Sequence, residues 1–301
     1  MNAVTCIVGD PICGSVHESK LCVEEDCVFL RGYNTYEGSH PNKAAAAQEG
    51  GGEIVSAING IVEITDRVVS VKGMASRYNA EVGDIVIGRV KEVNGNRWLV
   101  DIGAFQDAVM LLSNVTEPGG ILRRKGRSDE LTMRNIFDQS ELIVAEVQRV
   151  SVDGIVFLHT RSGERYGRLN NVGVLVLVSP ALVKRVKHHF MTIDSLHIGL
   201  VVGTNGAIFV SGEKITEENS SNRLNQHDVD VDIRRNVTRV ANCIKVMGEA
   251  QFPIFDRTID AAVKTSIDFG LGPFDILSSS NRGLITTTVL ETMVSRKRMR
   301  E

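Results

Sequence analysis

The spacing of apolar residues changes twice along the chain and divides it into three segments. In the first, residues 1–76, two stretches rich in Val and Ile run from Glu53 to Ile64 and from Arg67 to Met74. β-Branched residues favour strands, so this segment is predicted to form a small β-domain. Between Gly38 and Gly52 the chain is rich in Ala and Gly and has no apolar periodicity, which indicates a flexible loop.

The second segment, residues 77–165, alternates short apolar stretches with turn residues. Its predicted strands are Ile85–Val93, Arg97–Gly103, Ala108–Leu112, Leu142–Val150 and Ile155–His159. Asn94-Gly95 and Asp153-Gly154 separate neighbouring strands, and such pairs favour the positive φ angles of tight hairpins. Antiparallel strands with short turns are typical of a closed barrel, and a five-stranded OB barrel is the smallest common form.

An insertion from Glu117 to Gln139 interrupts these strands. It carries a basic cluster and then Ser128-Asp129-Glu130, which is typical of the first turn of a helix. The third segment, residues 166–301, combines a strand at Val172–Val178 with stretches of helical periodicity. These are Asp228–Glu249, Phe255–Phe269 and Arg282–Arg300. The fold class predicted for the whole chain is multidomain, mainly β and then α+β.

The composition is that of an ordinary globular protein, with 43% apolar and 24% charged residues in a chain of 301. No apolar run reaches about 18 residues, so no membrane-spanning helix is expected. The N-terminus lacks the basic and apolar regions of a signal peptide. A net charge of −3 argues against a generally basic nucleic-acid binder, although local basic surfaces are still possible.

Neither the cysteines nor the carboxylates form a recognisable reactive site. Cys6, Cys13, Cys22 and Cys27 contain no Cys-x-x-Cys pair, so reduced thiols are favoured over a zinc site. Metal-dependent nucleases need several carboxylates that converge on two ions, whereas the acids here are scattered among basic residues. No P-loop, dinucleotide-binding fingerprint or nucleophile elbow is present. We therefore expect a non-catalytic protein with no cofactor and no metal site.

The barrel strands carry a specific resemblance. Glu81–Val90, Val100–Gly103 and Leu112-Ser113 resemble the OB-fold RNA-binding domain named after ribosomal protein S-one. More narrowly, the chain resembles the RNA exosome cap subunits of the ribosomal RNA-processing protein four family. The stretches that carry this likeness are Arg31–Tyr36, Arg97-Trp98, Pro118–Gly120, Leu122–Arg124, Asp129–Leu131, His159–Ser162, Val178–Pro180, Leu182–Arg185 and Gly203–Gly206.

The resemblance implies an N-terminal β-domain (residues 1–76), an OB barrel (77–165) and a C-terminal KH-like domain (166–301). It further implies a subunit that sits on a ring of RNase-PH-like proteins beside other cap subunits and guides single-stranded RNA into a central channel. The implied locations are the nucleus, with the nucleolus, and the cytoplasm. Arg31, Tyr33 and Tyr36 are then candidates for ring contact, and the alternative is a β-turn that packs onto its own domain.

Two basic clusters are candidates for RNA contact, because such clusters bind phosphates. The first, on the barrel insertion, is Arg123, Arg124, Lys125 and Arg127. A solvated loop, or docking onto a neighbouring subunit, is an equally weighted alternative. The second is Lys184, Arg185 and Lys187, followed by His188-His189, which point in different directions and so do not suggest a metal site. For this second cluster a solvated face or a partner contact is also open.

Trp98 is the only tryptophan, and alternation places it in the barrel interior with Val100 and Ile102. The outward face, where many OB proteins carry aromatic residues, has Asn96, Leu99 and Leu111. We therefore expect no base stacking there, and expect charge contacts with the RNA backbone, to which Lys91 and Arg97 are candidate contributors.

Gly203-Thr204-Asn205-Gly206 has the form of the KH loop that clamps nucleotides. Asn-Gly between apolar stretches is also a strong hairpin signal, and the residues that follow are β-branched and aromatic. A tight turn is therefore favoured over an RNA clamp. Besides the cap subunit, two further functions are open: a free-standing single-stranded RNA-binding regulator, and a nuclease, which the scattered acids disfavour.

Overall fold

The computed structural model describes residues 4–13, 29–38, 53–73, 77–116, 125–161, 165–169, 173–186, 188–212 and 230–298. The chain divides into two compact units, Met1–Ser76 and Arg77–Glu301. Among the described residues no helix is long and apolar enough to cross a membrane.

The first unit is built of short strands. They are β1 Thr5–Cys6, β2 Pro11–Cys13, β3 Leu30–Arg31, β4 Thr35–Gly38, β5 Glu53–Ser56, β6 Gly60–Thr65 and β7 Val68–Gly73. One sheet has the order β1-β6-β7-β3 and the other the order β2-β5-β4. Ile12, Ile54, Val69 and Val71 fill the core beside the free thiol of Cys6. The small β-domain is as predicted, and the predicted loop lies mostly in residues 39–52, outside the described residues.

The second unit begins with a closed barrel. Its strands are β8 Ile85–Asn94, β9 Arg97–Asp101, β10 Ala108–Leu111, β11 Leu142–Val150 and β12 Val156–His159, with a short β13 at Gly167–Arg168 beside β11. The order β12-β10-β9-β8-β11 closes because β11 also pairs with β12. The predicted strand positions and the OB architecture are confirmed. Both predicted hairpins form, and Gly95 and Gly154 have φ angles of 55° and 82°.

Alternation along the strands fills the barrel interior. On β9, Trp98 and Val100 are fully buried, whereas Arg97 and Asp101 are exposed. The Trp98 indole Nε1–H donates to the Phe137 carbonyl oxygen at 3.0 Å, and the two rings meet edge to face at 5.5 Å. The interior position predicted for Trp98 is therefore confirmed, and its one polar atom is satisfied.

The insertion supplies part of this core. It forms two short helices, α1 Arg127–Leu131 and α2 Met133–Ile136, as the Ser-Asp-Glu signal predicts for the first. Met133 and Phe137 pack into the barrel cluster, so the described part of the insertion belongs to the barrel core. Residues 117–124 lie outside the described residues.

The remainder of the second unit is the predicted KH-like α+β region. Its elements are β14 Gly173–Leu177, β15 Phe190–Ile193, β16 Ile198–Val202, β17 Ala207–Ser211, α3 Val231–Glu249, α4 Asp256–Asp268 and α5 Ser279–Arg298. The sheet order is β14-β17-β16-β15. Helix α3 begins at Val231 rather than Asp228, because the Asp230 side chain accepts the Asp232 N–H and caps it. Strand β15 was not predicted from the sequence, because Phe190–Ile193 is too short to show a clear alternation of apolar and polar residues.

Replacing Trp98 by Ala should lower the free energy of unfolding by about 3–5 kcal/mol, because it opens a cavity in a fully buried site and removes a hydrogen bond. The half-buried neighbour Leu99, changed to Ala, is the control and should cost about 1 kcal/mol. Denaturant unfolding followed by far-ultraviolet circular dichroism measures both. Equal losses would contradict the interior role of Trp98.

Candidate nucleic-acid interface

The Gly203–Gly206 turn joins β16 to β17 and lies against the barrel. Thr204 donates its backbone N–H to the Ile85 carbonyl at 2.9 Å. The Asn205 amide donates to the carbonyls of Ile87 and Ile102, at 2.8 and 2.9 Å, and accepts the Ile87 N–H at 3.3 Å. The pairing of β8 with β9 ends at Asp101. Beyond that point, the Asn205 side chain hydrogen-bonds the backbone groups of Ile87 and Ile102 that the pairing of these two strands does not reach.

Both glycines of this turn are sterically required. Gly206 has a φ of +80°, and a side chain there would clash with the Val178 carbonyl. A Cβ on Gly203 would clash with the Asn205 side chain and lie 2.8 Å from the Ala207 carbonyl. Thr204 and Asn205 are buried. The Asn-Gly hairpin predicted from sequence is present, and its side chains serve the seam between the barrel and the KH-like sheet.

A second set of polar contacts closes the same seam. The Tyr78 hydroxyl donates to the buried Asp84 carboxylate at 2.7 Å, and Arg185 approaches that carboxylate at 3.4 Å. Burial, with the adjacent Asp84 charge, raises the pKa of Tyr78 far above its usual value. Arg185 also pairs with Glu81, and this hydrogen bond lowers the pKa of the Glu81 carboxyl. Arg185, a candidate for RNA contact, is thus engaged within the protein.

Two further candidate cations also have partners. The Lys91 ammonium lies 2.7 Å from Asp107 and 3.6 Å from Asp101, and the hydrogen bond with Asp107 raises the pKa of Lys91. Lys184 lies over the Phe255 ring at 5.5 Å. A lysine already paired with two carboxylates has little net charge to offer a phosphate. These two carboxylates thus make Lys91 a weaker candidate for contact with the RNA backbone.

The remaining candidate cations are placed differently. Arg97 and Arg127 are exposed, on β9 and at the start of α1, and Lys125 is half-buried. Arg123, Arg124 and Lys187 lie outside the described residues. The described residues of the two predicted basic clusters therefore do not form one common surface. RNA contact by these residues stays a prediction.

The histidines of the second cluster diverge, as their adjacency predicts. His188 is exposed, whereas His189 is buried and its Nδ1 lies 2.8 Å from the Val202 carbonyl, to which it donates. Within the described ranges, no group of three or more His, Cys, Asp or Glu is placed to hold a metal ion.

Two aromatic residues on the outer face of the barrel were not anticipated. Phe157 and His159 alternate with the buried Val156 and Leu158 on β12, so they face outward. The Arg149 guanidinium lies 3.9 Å from the centre of the Phe157 ring. The alternation of apolar residues along β12 is the sequence signal for an outward Phe157, on a different strand from Asn96, Leu99 and Leu111.

The candidate ring-contact residues surround a local turn in the first unit: Arg31 ends β3, Tyr33 lies in the turn, and Tyr36 is on β4. Arg31, Tyr33 and Tyr36 are all exposed, with Tyr33 at 84%. Asn34 adopts a φ of 59° and its side-chain amide donates to the Val71 carbonyl at 2.9 Å. The backbone of the turn is thus fixed on its own domain, while both tyrosine side chains are exposed.

Comparison with known proteins bears directly on these surfaces. A family model described as "RRP4, S1 domain" matches residues 77–149, and one described as "KH domain" matches residues 173–216. The exosome complex component RRP4 homolog of Arabidopsis thaliana is 37% identical over 272 residues, 85% of this chain and 80% of its own length. The chain belongs to the RRP4 family.

Other members extend the same similarity. Exosome complex component RRP4 of Mus musculus is 38% identical, covering 79% of this chain and 76% of that protein. The Saccharomyces cerevisiae component is 33% identical, covering 81% and 74%. The resemblance stated from sequence motifs is confirmed. The RRP4 S1 model includes Lys91 and Arg97, and the KH model includes the Gly203–Gly206 turn.

Changing Asn205 to Ala should destabilise this RRP4-family chain by about 3 kcal/mol, because two buried carbonyls and one buried N–H lose their partner. The exposed Asn96, changed to Ala, is the control and should alter stability by less than about 0.5 kcal/mol. Denaturant unfolding compares the two. A loss at Asn205 no greater than at Asn96 would show that water replaces the amide fully.

Proposed function

We propose that this chain is a non-catalytic cap subunit of the RNA exosome that guides single-stranded RNA into the central channel for processing and degradation from the 3′ end. The observation that carries the proposal is its similarity, over about 80% of its length, to relatives that are exosome complex components. The barrel supports it, because OB folds bind single-stranded nucleic acid on their strand faces.

The proposed partners are RNase-PH-like ring subunits and other cap subunits. The exposed side chains of Arg31, Tyr33 and Tyr36, around the turn between β3 and β4, support a ring contact through the first unit. Tyrosine and arginine are enriched in the energetically dominant parts of interfaces, and a turn with a fixed backbone loses little entropy on binding. The proposed locations are the nucleus, including the nucleolus, and the cytoplasm.

The proposed lack of catalysis is supported by how several carboxylates of the second unit are used. Asp84 is bound by Tyr78 and Arg185, and Asp101 and Asp107 both lie near Lys91. Carboxylates with such partners are not arranged to converge on a pair of metal ions, as metal-dependent RNA hydrolysis requires. Purified chain with Mg²⁺ is expected to leave RNA intact.

Replacing Tyr33 and Tyr36 together by Ala should reduce co-purification of the ring subunits about tenfold or more, since exposed aromatic anchors are lost while the fold is kept. Affinity purification of the tagged chain from its own cells, with quantitative mass spectrometry, measures this. Val152→Ala, on a fully exposed barrel turn, is the control. An unmodified chain that recovers no ring subunits would defeat the cap proposal and favour the free-standing regulator.

Replacing Arg123, Arg124 and Arg127 by Gln should make RNA binding less dependent on salt. Each lost phosphate contact lowers the slope of log affinity against log salt concentration by about 0.7 for single strands, so the slope should fall by about 2. Lys91→Gln is the matched control, because its charge is already balanced by Asp101 and Asp107. An unchanged slope with weakened ring association would mean that the loop binds a protein partner instead.

A further inference from the structure

The outer face of the barrel carries a continuous row of side chains across four strands. The strand register aligns Leu99 on β9 with Val109 on β10, Val109 with Phe157 on β12, and Phe157 with Arg149 on β11. In the next row, Arg97 is opposite Leu111. The middle of this face is therefore aliphatic, with Leu99 and Val109. Arg97 lies on one side of it, and Arg149 lies on the other side, next to Phe157.

The position of Arg149 depends on a defect in the strand pairing. Strict alternation from the buried Val147 would direct Gln148 outward and Arg149 toward the interior. The register between β11 and β12 shifts between Val147 and Arg149, and this bulge places Arg149 opposite Phe157. β-Bulges re-aim side chains and occur preferentially at functional sites and sheet edges.

Several described cations of the second unit are paired with carboxylates, and Arg149 is not one of them. Arg168 lies 2.7 Å from Glu141, and Lys91 and Arg185 each contact two carboxylates. Among the described residues, Arg149 forms no ion pair, and its guanidinium lies 3.9 Å from the centre of the Phe157 ring. Its N–H donors are therefore not neutralised by a described carboxylate, and a guanidinium of this kind can both hydrogen-bond a phosphate and stack on a base.

We propose that Phe157 and Arg149 form a stacking site for one unpaired base of single-stranded RNA. Bases stack on aromatic rings and on arginine planes, and every base presents such a face. The donors of Arg149 can bind the phosphate beside the stacked base, and the half-buried Leu99 extends the apolar surface beyond the buried Val109. The proposal rests on the proposed RNA-guiding function and names a subsite within it, replacing the expectation that this face binds RNA through charge alone.

The test compares two RNA probes of equal length and charge, an oligoadenylate and the same backbone with abasic sugars at every position. Phosphate contacts are the same for both, so their affinity ratio reports base contacts. Phe157→Leu keeps apolar volume and removes the π-face, and Phe157 is only half-buried, so the barrel is expected to stay folded. We expect the unmodified chain to bind oligoadenylate more tightly than the abasic probe. In Phe157→Leu the ratio of the two affinities should fall about tenfold, while the salt dependence of binding stays unchanged.

Two further variants sharpen the outcome. Arg149→Lys keeps the charge but loses the planar group, and should narrow the preference about threefold. Phe105→Leu is the matched control: this ring is 82% exposed, has Arg77 at 5.9 Å, and lies on the loop between β9 and β10, off the row. Its preference should equal that of the unmodified chain. Thermal unfolding confirms that each variant is folded.

The outcomes separate this proposal from the one it rests on. If the unmodified chain binds both probes with a strong salt slope, and Phe157→Leu keeps the full preference, the stacking site is excluded and the cap function stands. If Phe157→Leu instead lowers recovery of ring subunits and leaves the preference intact, the pair is a protein contact. If the unmodified chain and its assembly bind neither probe, the RNA-guiding function itself fails.

Discussion

In the second unit, the Asn205 side chain makes hydrogen bonds that a neighbouring strand's backbone would otherwise make. The Asn205 amide donates two N–H groups to the carbonyls of Ile87 and Ile102 and accepts the Ile87 N–H. Both residues lie beyond the ladder position of Asp101, where the hydrogen-bonded pairing of β8 with β9 ends. A buried strand end with unpaired carbonyls is costly, and an amide side chain is the group that best reproduces a missing ladder bond. Apolar contacts between Ile87, Val201 and Phe209 close around it. The barrel and the KH-like sheet are therefore joined by hydrogen bonds as well as by burial.

This constraint limits what the turn can do. A loop that clamps nucleotides must present its backbone to solvent, whereas the Gly203–Gly206 turn buries Thr204 and Asn205 against β8. The positive φ of Gly206 and the confined Gly203 are needed for that burial, so glycines that suggest a ligand loop have a packing explanation here. Tyr78, Asp84 and Arg185 extend the seam, and this places a predicted RNA-binding cation between the domains.

Alternation and turn residues were enough to predict the barrel strands, both Gly-containing hairpins and the interior position of Trp98, because these depend on neighbours close in sequence. The seam could not be predicted, since Asn205 reaches partners 118 and 103 residues away. Arg149 was missed for another reason. A bulge changes the side to which a residue points, and nothing in the local pattern of Val147 to Val150 signals it.

Some described cations of the second unit are paired with carboxylates and Arg149 is not, and this difference bears on how RNA would be held. Lys91, Arg168 and Arg185 are paired with carboxylates, so they release few counterions and contribute little salt-dependent affinity. Arg149 lies against an aromatic ring instead, where its plane can contact a base and its edge a phosphate. Stacking depends weakly on salt and on base identity. A stacking site of this kind would hold RNA as successive bases pass, without selecting a sequence, as the proposed cap function requires.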